Sequence, residues 1–332
     1  MRTVNLIPVF FIGCAISVAQ TAITDMDGRT VQLPLEMNRI LPYDSKTSVL
    51  LFPLLGDKIV AKPLLPGKKE YRNISSSYEA IPELDIKNVE AVLAAAPGII
   101  IAGFYSGDEN NERVLKLGTR LHIPVVLIDL SIENLDKTYT FLGTLFNCEK
   151  EAEQYAGFLR SVYTFIDSLK KTKGEINSTV YYTIGTSGLL TDPAGSKHTE
   201  AFDFLEIPNA ARVEIPSGGH AQVNMEQVLM WNPDYIFTAG FQGDQNAYGI
   251  ISSGNKWQSI KAVMNSRVYK VPVQPFGWFD HPPSVNRVPG LIWLCRIFYG
   301  RDEEDTRADI IRFYKLFYKY DLSIVEYNLL FQ

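Results

Sequence analysis

The sequence predicts an α/β protein made of two lobes with parallel sheets, joined by a single long helix. The first observation is a repeat, because the pattern N-x-E-x-V-L-x-x-x-P-x-x-I occurs at residues 88–100 and again at 224–236. The second lies between the two copies, where residues 149–172 contain no proline and place apolar side chains at helical spacing. A segment of that length forms a rod of about 35 Å, which predicts little motion between the lobes.

Composition bounds the class of protein. The chain has 332 residues, of which 46% are apolar and 12% aromatic, and its formal net charge is −5 at pH 7. This length is typical of about two domains. The mild acidity removes the basic surface that a nucleic-acid-binding protein needs, and the aromatic content excludes a disordered chain.

The first residues predict export. An apolar run too short to span a bilayer ends in Ser17-Val18-Ala19, which is typical of a signal peptide at 1–19. The alternative is a lipobox at 11–14, in which Cys14 carries a lipid and tethers the mature chain. Either alternative places the protein in the periplasm or outside the membrane. The other two cysteines, Cys148 and Cys295, are expected to be small buried residues rather than a disulfide.

The expected division is a first lobe at 20–148, the connecting helix at 149–172 and a second lobe at 173–332. In each repeat an asparagine caps a short helix, a glutamate occupies its first turn, and proline ends it before a strand. Short runs rich in β-branched residues predict the core strands of both sheets, at 40–42, 59–61, 99–102, 125–128, 179–183, 235–238 and 268–271.

These features together resemble the class III substrate-binding proteins of ABC importers, which have two Rossmann-like lobes on a helical backbone. Residues 24–34 and 38–40 are similar to the family's opening hairpin and first core strand, and residues 278–287 to its closing loop. The resemblance implies capture of an iron-siderophore, haem, a corrinoid or a related metal chelate, without a resident cofactor. It also implies a monomer that docks onto a permease dimer through one glutamate per lobe, and the matching positions are Glu90 and Glu226.

Loops after the carboxyl ends of parallel strands are where ligands bind in open α/β sheets. On that basis the candidate ligand contacts are Tyr43, Arg72, Tyr105, His198, His220, Phe241, Trp278 and Arg287. His198 and His220 are also candidate metal ligands, acting on a metal that arrives inside a chelator. His281 fits a structural role as well as a ligand role, and His122 is expected at the edge of the first lobe. Trp278 equally fits a core position, and Arg287 equally fits a role in holding its own turn.

Two alternatives remain open from the sequence. The basic residues of these loops would also suit a molybdate-type or tungstate-type oxyanion. A surface adhesin or a sensor co-receptor would share the same fold. Enzymatic activity is not expected, because the chain lacks the G-x-S-x-G, H-E-x-x-H, G-x-x-x-x-G-K and G-x-G-x-x-G motifs.

Overall fold

The structure, a computed structural model, describes residues 22–64, 71–104, 110–216, 219–240 and 245–332. The predicted signal peptide and Cys14 lie outside the described residues, as do Tyr105 and Phe241. In the part of the chain that is described, no helix combines the length and apolar character needed to cross a membrane. Cys148 and Cys295 are both free thiols.

The first lobe alternates strands and helices. Its strands are β1 (Ala22–Thr24), β2 (Thr30–Gln32), β3 (Ile40–Pro42), β4 (Lys62–Pro63), β5 (Glu83–Leu84), β6 (Ile99–Phe104) and β7 (Val125–Asp129). Its helices are α1 (Ser45–Leu55), α2 (Ser76–Glu79), α3 (Val89–Ala94), α4 (Asn110–Leu121) and α5 (Leu135–Phe146).

The core of this lobe is a parallel sheet in the order β3-β6-β7. Nearly every residue of these strands is buried, as expected where helices cover both faces of a parallel sheet. The opening hairpin is confirmed, since β1 and β2 pair antiparallel. The strand predicted at 59–61 is wrong: Ile59 forms one isolated bridge to Ile40, and the chain then pairs through β4 with β5 in a separate two-stranded sheet.

The connecting helix is α6 (Glu149–Lys173), which has acidic residues in its first turn and lysines in its last. That charge distribution complements the helix dipole. One face is buried, and it carries Tyr155, Phe158, Leu159, Val162 and Ile166. The amphipathic spacing read from the sequence therefore corresponds to a helix with one buried face, which extends from Ala152 to Ile166.

The second lobe follows α6. Its strands are β8 (Val180–Ile184), β9 (Leu190–Thr191), β10 (Ala221–Gln222), β11 (Tyr235–Ala239) and β12 (Val268–Lys270). Its helices are α7 (Glu200–Phe204), α8 (Met225–Trp231), α9 (Tyr248–Ser253), α10 (Lys261–Met264) and α11 (Arg287–Tyr299), and they are followed by α12 (Glu303–Phe317) and α13 (Ile324–Leu329).

The second sheet has the order β10-β9-β8-β11-β12 and is mixed rather than fully parallel. β8, β11 and β12 run parallel, whereas β9 folds back antiparallel onto β8 and pairs with β10. Strands of two residues leave too short a pattern to recognise in a sequence. The segment that leaves β9 carries Asp192 and His198, two residues of the candidate site described below.

The last helices of the chain contact the first lobe and the connecting helix. Phe317 of α12 packs edge-to-face against Tyr139 and Tyr155, at ring-centroid distances of 5.8 and 5.4 Å. The main-chain N–H of Ser75 donates to Tyr318 O at 2.9 Å. The last helices therefore pack on the first lobe and α6, so that one continuous hydrophobic core extends across both lobes.

Candidate functional site

Asp192 and His220 form one half of the candidate site. Asp192 follows β9 directly, and its side chain is 0% exposed. His220 precedes β10, and its Nδ1 lies 2.6 Å from Asp192 Oδ1 in a hydrogen bond. The antiparallel pairing of β9 with β10 therefore brings together two residues that are 28 positions apart.

Asp280 and His281 form the other half, in the loop between β12 and α11. Asp280 has a side chain only 2% exposed, and its Oδ1 accepts a hydrogen bond from the Tyr182 hydroxyl of β8 at 2.9 Å. Its Oδ2 lies 2.6 Å from His281 Nδ1. His281 has a backbone φ of 59°, a conformation that costs a residue with a Cβ about 1–2 kcal/mol.

His198 lies between the two halves. It precedes α7, and its Nδ1 is 3.3 Å from Asp280 Oδ2. Its ring centroid lies 4.9 Å from that of His220 and 5.7 Å from that of His281. Gly219, at φ 85°, makes room for this ring, because a Cβ at that position would stand 2.9 Å from His198 Cδ2. We call the five residues Asp192, His198, His220, Asp280 and His281 the histidine cluster.

Burial orders the cluster into two layers. The two carboxylates are almost fully buried, whereas the imidazoles of His198, His220 and His281 remain 11, 23 and 18% exposed. The carboxylates thus lie behind the imidazoles. A carboxylate in contact with a metal-binding imidazole holds the ring orientation and raises the basicity of the nitrogen that faces the ion. A carboxylate oxygen can also bind the ion directly.

Several buried atoms of the cluster are not fully satisfied. Among the described residues, Asp192 Oδ2, Asp280 Oδ2 and His198 Nδ1 have no partner with hydrogen-bond geometry, although Asp280 Oδ2 is within ion-pair distance of two imidazoles. Buried polar atoms are nearly always hydrogen-bonded in folded proteins. Similar exceptions occur elsewhere in the described chain, for example at Ser252 and Tyr318, but in the cluster several lie side by side on ligand-type atoms, as expected of a site that completes its contacts with a bound solute.

The electrostatics of the two carboxylates differ. Burial acts to raise the pKa of Asp280, but the neighbouring imidazoles of His281 and His198, both within ion-pair distance of its carboxylate, outweigh burial and hold that pKa well below its usual range. For His281, burial acts to lower the pKa, and the neighbouring Asp280 carboxylate raises it overall. Burial raises the pKa of Asp192 despite its bond to His220. Asp280 therefore supplies a fixed negative charge at neutral pH.

The cluster lies near the face between the two lobes. The Ser284 hydroxyl, in the same loop as Asp280, donates to Lys46 O of α1 at 2.7 Å. Glu200, two residues after His198, accepts a hydrogen bond from the main-chain N–H of Ile132, which follows β7, at 2.6 Å. The segments around His198 and Asp280 therefore contact the carboxyl ends of strands in the first lobe, which is where a ligand is expected in this type of sheet.

The structure brings together two of the sequence candidates, His198 and His220, and adds three residues. The sequence leaves His281 between a structural and a ligand role, and it singles out neither Asp192 nor Asp280. A signal existed for both aspartates, since Asp280 directly precedes His281 and Asp192 begins the loop that carries His198. Their contacts to the histidines and to Tyr182 depend on strand pairing that the sequence does not display.

Two candidate ligand contacts are buried elsewhere. Trp278 is 0% exposed, donates through Nε1 to the Tyr314 hydroxyl at 3.2 Å and packs against Trp293, so it is a core residue. Arg287 is also 0% exposed and donates to Glu200, to Leu130 O and to Ser284 O. Its guanidinium joins the two lobes beside the cluster. The structure agrees with the alternative role of each residue, a core position for Trp278 and a contact within its own turn for Arg287.

The remaining candidates lie apart from the cluster. Tyr43 is half-buried and packs on the core of the first lobe. Arg72 is exposed and lines an open pocket of about 600 Å³ together with Lys270, Gln274 and the last helix, and no cluster residue lines that pocket. His122 is exposed on the first lobe.

Glu90 and Glu226 occupy equivalent positions on the two lobes. Each is exposed in the first turn of a short helix, α3 or α8, whose N-cap asparagine accepts a hydrogen bond from the third helical residue. Leu93 and Leu229, three residues further on, are 53 and 40% exposed. Each helix thus presents the same pair of an acidic and an apolar side chain to solvent.

Comparison with known proteins places the chain among transport proteins. A family model described as periplasmic binding protein matches residues 47–275. The Haemophilus influenzae molybdate-binding protein MolA is 23% identical and aligns with 91% of this chain and 92% of its own length. The Staphylococcus aureus haem uptake protein IsdE is 24% identical over 65% of this chain and 74% of its own. A solved solute-binding protein of an ABC transporter from Sulfurospirillum deleyianum superposes with a TM-score of 0.82, at 25% identity over 93% of this chain and 98% of that one.

Proposed function

The chain belongs to the periplasmic binding protein family, and from this premise we propose that it captures a metal complex at the histidine cluster and delivers it to an ABC permease. Binding proteins of ABC importers bind small solutes and work with a permease, and the relatives found are solute-binding proteins. The metal cargo and the place where it binds are the parts proposed here.

One observation carries this proposal: three partly exposed imidazoles converge in front of two buried carboxylates. Imidazole nitrogen is a preferred ligand of iron, nickel, copper and zinc. The ionised Asp280 gives the site negative charge, which attracts a cation. The likeness to IsdE, a haem uptake protein, supports a metal-containing cargo.

A second candidate is a molybdate-type oxyanion, and the likeness to MolA over 91% of the chain favours it. Imidazole N–H groups can donate to such an anion. The arrangement of charge opposes it, because buried Arg287 is engaged by Glu200 and two carbonyls, and two carboxylates lie directly behind the imidazoles. The metal complex is therefore the first candidate.

The test is to purify the protein from rich medium, record its absorption spectrum and analyse its metals, and then to measure thermal shifts with haem, a ferric siderophore, nickel, zinc and molybdate. We expect iron, nickel, copper or zinc to copurify or to stabilise the protein. Stabilisation by molybdate alone would establish the second candidate. If no member of the panel stabilises the protein, the proposal fails.

We further propose that Glu90 and Glu226 dock onto the permease, one on each half of its dimer. Two equivalent acidic side chains on related lobes suit a partner with twofold symmetry. Reversing both charges, as Glu90→Lys with Glu226→Lys, should abolish uptake in whole cells and leave solute affinity unchanged. Glu153→Lys with Glu175→Lys, on and just after α6, is a matched control for net charge. Uptake that survives the first pair would remove these residues from the interface.

Delivery to a permease requires the protein to reach the outer side of the membrane, so we also propose export by the signal peptide at 1–19, with lipidation at Cys14 as the alternative. Mass spectrometry of the mature N-terminus separates the two. A start at residue 20 supports cleavage after Ala19, whereas a lipid-modified Cys14 supports tethering.

A further inference from the structure

The histidine cluster contains two overlapping sets of metal-ligand atoms. One set is Asp192, His198 and His220, and the other is His198, Asp280 and His281. Within each set, one nitrogen or oxygen from every residue lies within 4.8 Å of the others. Atoms bound to one metal at about 2.0–2.2 Å lie roughly 3–3.6 Å apart. Each set therefore needs a contraction of at most about 2 Å to hold an ion.

We infer that the cargo metal is a divalent ion with open coordination positions, held by two imidazoles and one carboxylate, and that His198 is a ligand in either set. This inference rests on the proposed function and narrows its solute class. Because both sets need His198, the cluster binds one ion per chain.

The number of donors decides which complexes fit. Two imidazoles and one carboxylate occupy three positions, which leaves about three of six for a small chelator in an octahedral complex or one of four in a tetrahedral one. A hexadentate ferric siderophore leaves no position for a side chain. A haem leaves two positions, on opposite faces of its plane, which is fewer than the three donors of either set.

The charge of the donors leads to the same class. One aspartate and two neutral imidazoles reduce a divalent ion to a single positive charge. A chelator that carries one carboxylate and an amine or a hydroxyl then neutralises the complex and fills the remaining positions. The cargo class is therefore a divalent transition metal bound to a small amino-acid or hydroxy-acid chelator.

The carboxylates also indicate that the cluster binds a cation and is not only a structural network of ion pairs. Asp192 Oδ2 is buried without a hydrogen bond among the described residues. Asp280 Oδ2 lies 3.3 Å from His198 Nδ1 and 2.6 Å from His281 Nδ1, but neither contact has hydrogen-bond geometry. Both oxygens are positioned to accept an ion. Gly219 keeps the space beside His198 open, since any larger residue would displace the ring.

The experiment measures binding of Ni²⁺ alone and of a 1:1 mixture of Ni²⁺ and L-histidine to the full chain, by native mass spectrometry and calorimetry. We expect one Ni²⁺ per chain. His198→Gln should weaken binding by about 100-fold or more, because a ligand to the metal is lost. The control His122→Asn removes an imidazole from the first lobe at a residue with a left-handed φ of 54°, which asparagine tolerates, and should change affinity less than twofold.

A second variant guards against misfolding of His198→Gln. The double substitution His220→Gln with His281→Gln keeps His198 and breaks both sets, so it should also lose about 100-fold. Cu²⁺ bound to the wild-type protein should show splitting from at least two imidazole nitrogens in its electron paramagnetic resonance spectrum. Wild-type affinity in both variants, or two ions per chain, would overturn the inference.

The outcomes separate this inference from the proposed function. If haem or ferric desferrioxamine B binds tightly while Ni²⁺ and its histidine complex do not, the inference is wrong and the proposed function stands. If molybdate alone binds, both are wrong and the oxyanion candidate replaces them. If none of these solutes binds, the proposed function itself fails.

Discussion

Lys62 in the first lobe and the histidine cluster in the second are both buried and charged, but they differ in how their polar atoms are satisfied. The Lys62 ammonium is 1% exposed and donates to the carbonyls of Tyr78, Glu79 and Ile81 at 2.8, 3.1 and 2.9 Å. All three of its protons are used. In the cluster, buried oxygens of Asp192 and Asp280 remain without aligned partners in the described part of the chain.

A buried charge whose hydrogen bonds are all made within the protein stabilises the fold. A buried charge with unpaired oxygens is instead suited to binding a solute. The three carbonyls around Lys62 come from the end of α2 and the turn after it, so the ammonium closes that turn. The cluster joins three separate loops. His281 has a strained backbone conformation there, and buried oxygens of the cluster still have no aligned hydrogen-bond donor among the described residues. We therefore expect substitutions at Lys62 to change stability alone, and substitutions in the histidine cluster to change binding of a solute as well as stability.

The largest effect is expected for Lys62→Met. It removes a donor to three carbonyls of this turn. A buried carbonyl that loses its partner costs about 1–3 kcal/mol, so the loss at the three carbonyls together should be about 3–5 kcal/mol of unfolding free energy. Urea unfolding measures this loss, and Ni²⁺ affinity of the folded protein should be unchanged. Lys87→Met, at an exposed position, is the control and should change stability by less than about 0.5 kcal/mol. A loss of unfolding free energy as small as that of the control would mean that Lys62 does not stabilise the fold.

A smaller effect, with a defined pH dependence, is expected for Asp280→Asn in the metal-free protein. The pKa of Asp280 is lowered on folding, so its contribution is present above its unfolded pKa of about 4 and is lost as the pH falls through the folded value. The pKa of His281 is raised, so its contribution is present below about pH 6.5 and is lost as the pH rises through the folded value. The two windows overlap between about pH 4 and 6.5.

Asp280→Asn should therefore lower the unfolding free energy by about 1–3 kcal/mol at pH 5.5, with a smaller difference at pH 9. Urea titrations at both pH values, in the presence of a chelator, measure the two differences. Asp167→Asn, at an exposed position of α6, is the control and should show a small difference at either pH. A difference that grows toward pH 9 would contradict the ion pair.

The sequence predicted those parts of the fold that depend on neighbouring residues. The repeated helix caps at Asn88 and Asn224 and the amphipathic α6 are local patterns, and each corresponds to an observed element. The pairing of β9 with β10 is not local, and neither is the contact between Tyr182 and Asp280, 98 residues apart. The sequence therefore could not show that Asp192 and Asp280 lie beside the histidines.

Trp278 and Arg287 show where local sequence leaves two roles open. A loop rich in glycine and proline normally lies on the surface, so aromatic and basic residues in it fit ligand contacts as well as structural positions. Here the loop between β12 and α11 packs inward, and both side chains are fully buried. Local composition predicted the loop correctly, but only the tertiary packing determines which of its side chains reach a solute.

The smallest effect on stability, and a sharp test of the cluster, is expected from Gly219→Ala compared with Gly195→Ala. Both glycines have a φ near 80°, at 85° and 79°, so an alanine at either position costs about 1 kcal/mol in backbone strain. Their surroundings differ. A Cβ at Gly219 would stand 2.9 Å from His198 Cδ2, whereas one at Gly195 has no atom within 4 Å.

The comparison between these two variants therefore isolates the displacement of one imidazole. Urea unfolding should show similar losses for both, since His198 remains 11% exposed and its ring can move toward solvent. Calorimetry with Ni²⁺ should show an affinity at least about 10-fold lower in Gly219→Ala than in Gly195→Ala, because the ligand shared by both metal sets has moved from its carboxylate support. Equal affinities in the two variants would mean that the position of His198 does not determine binding, and the distinction between a structural and a functional buried charge would then lose its main support.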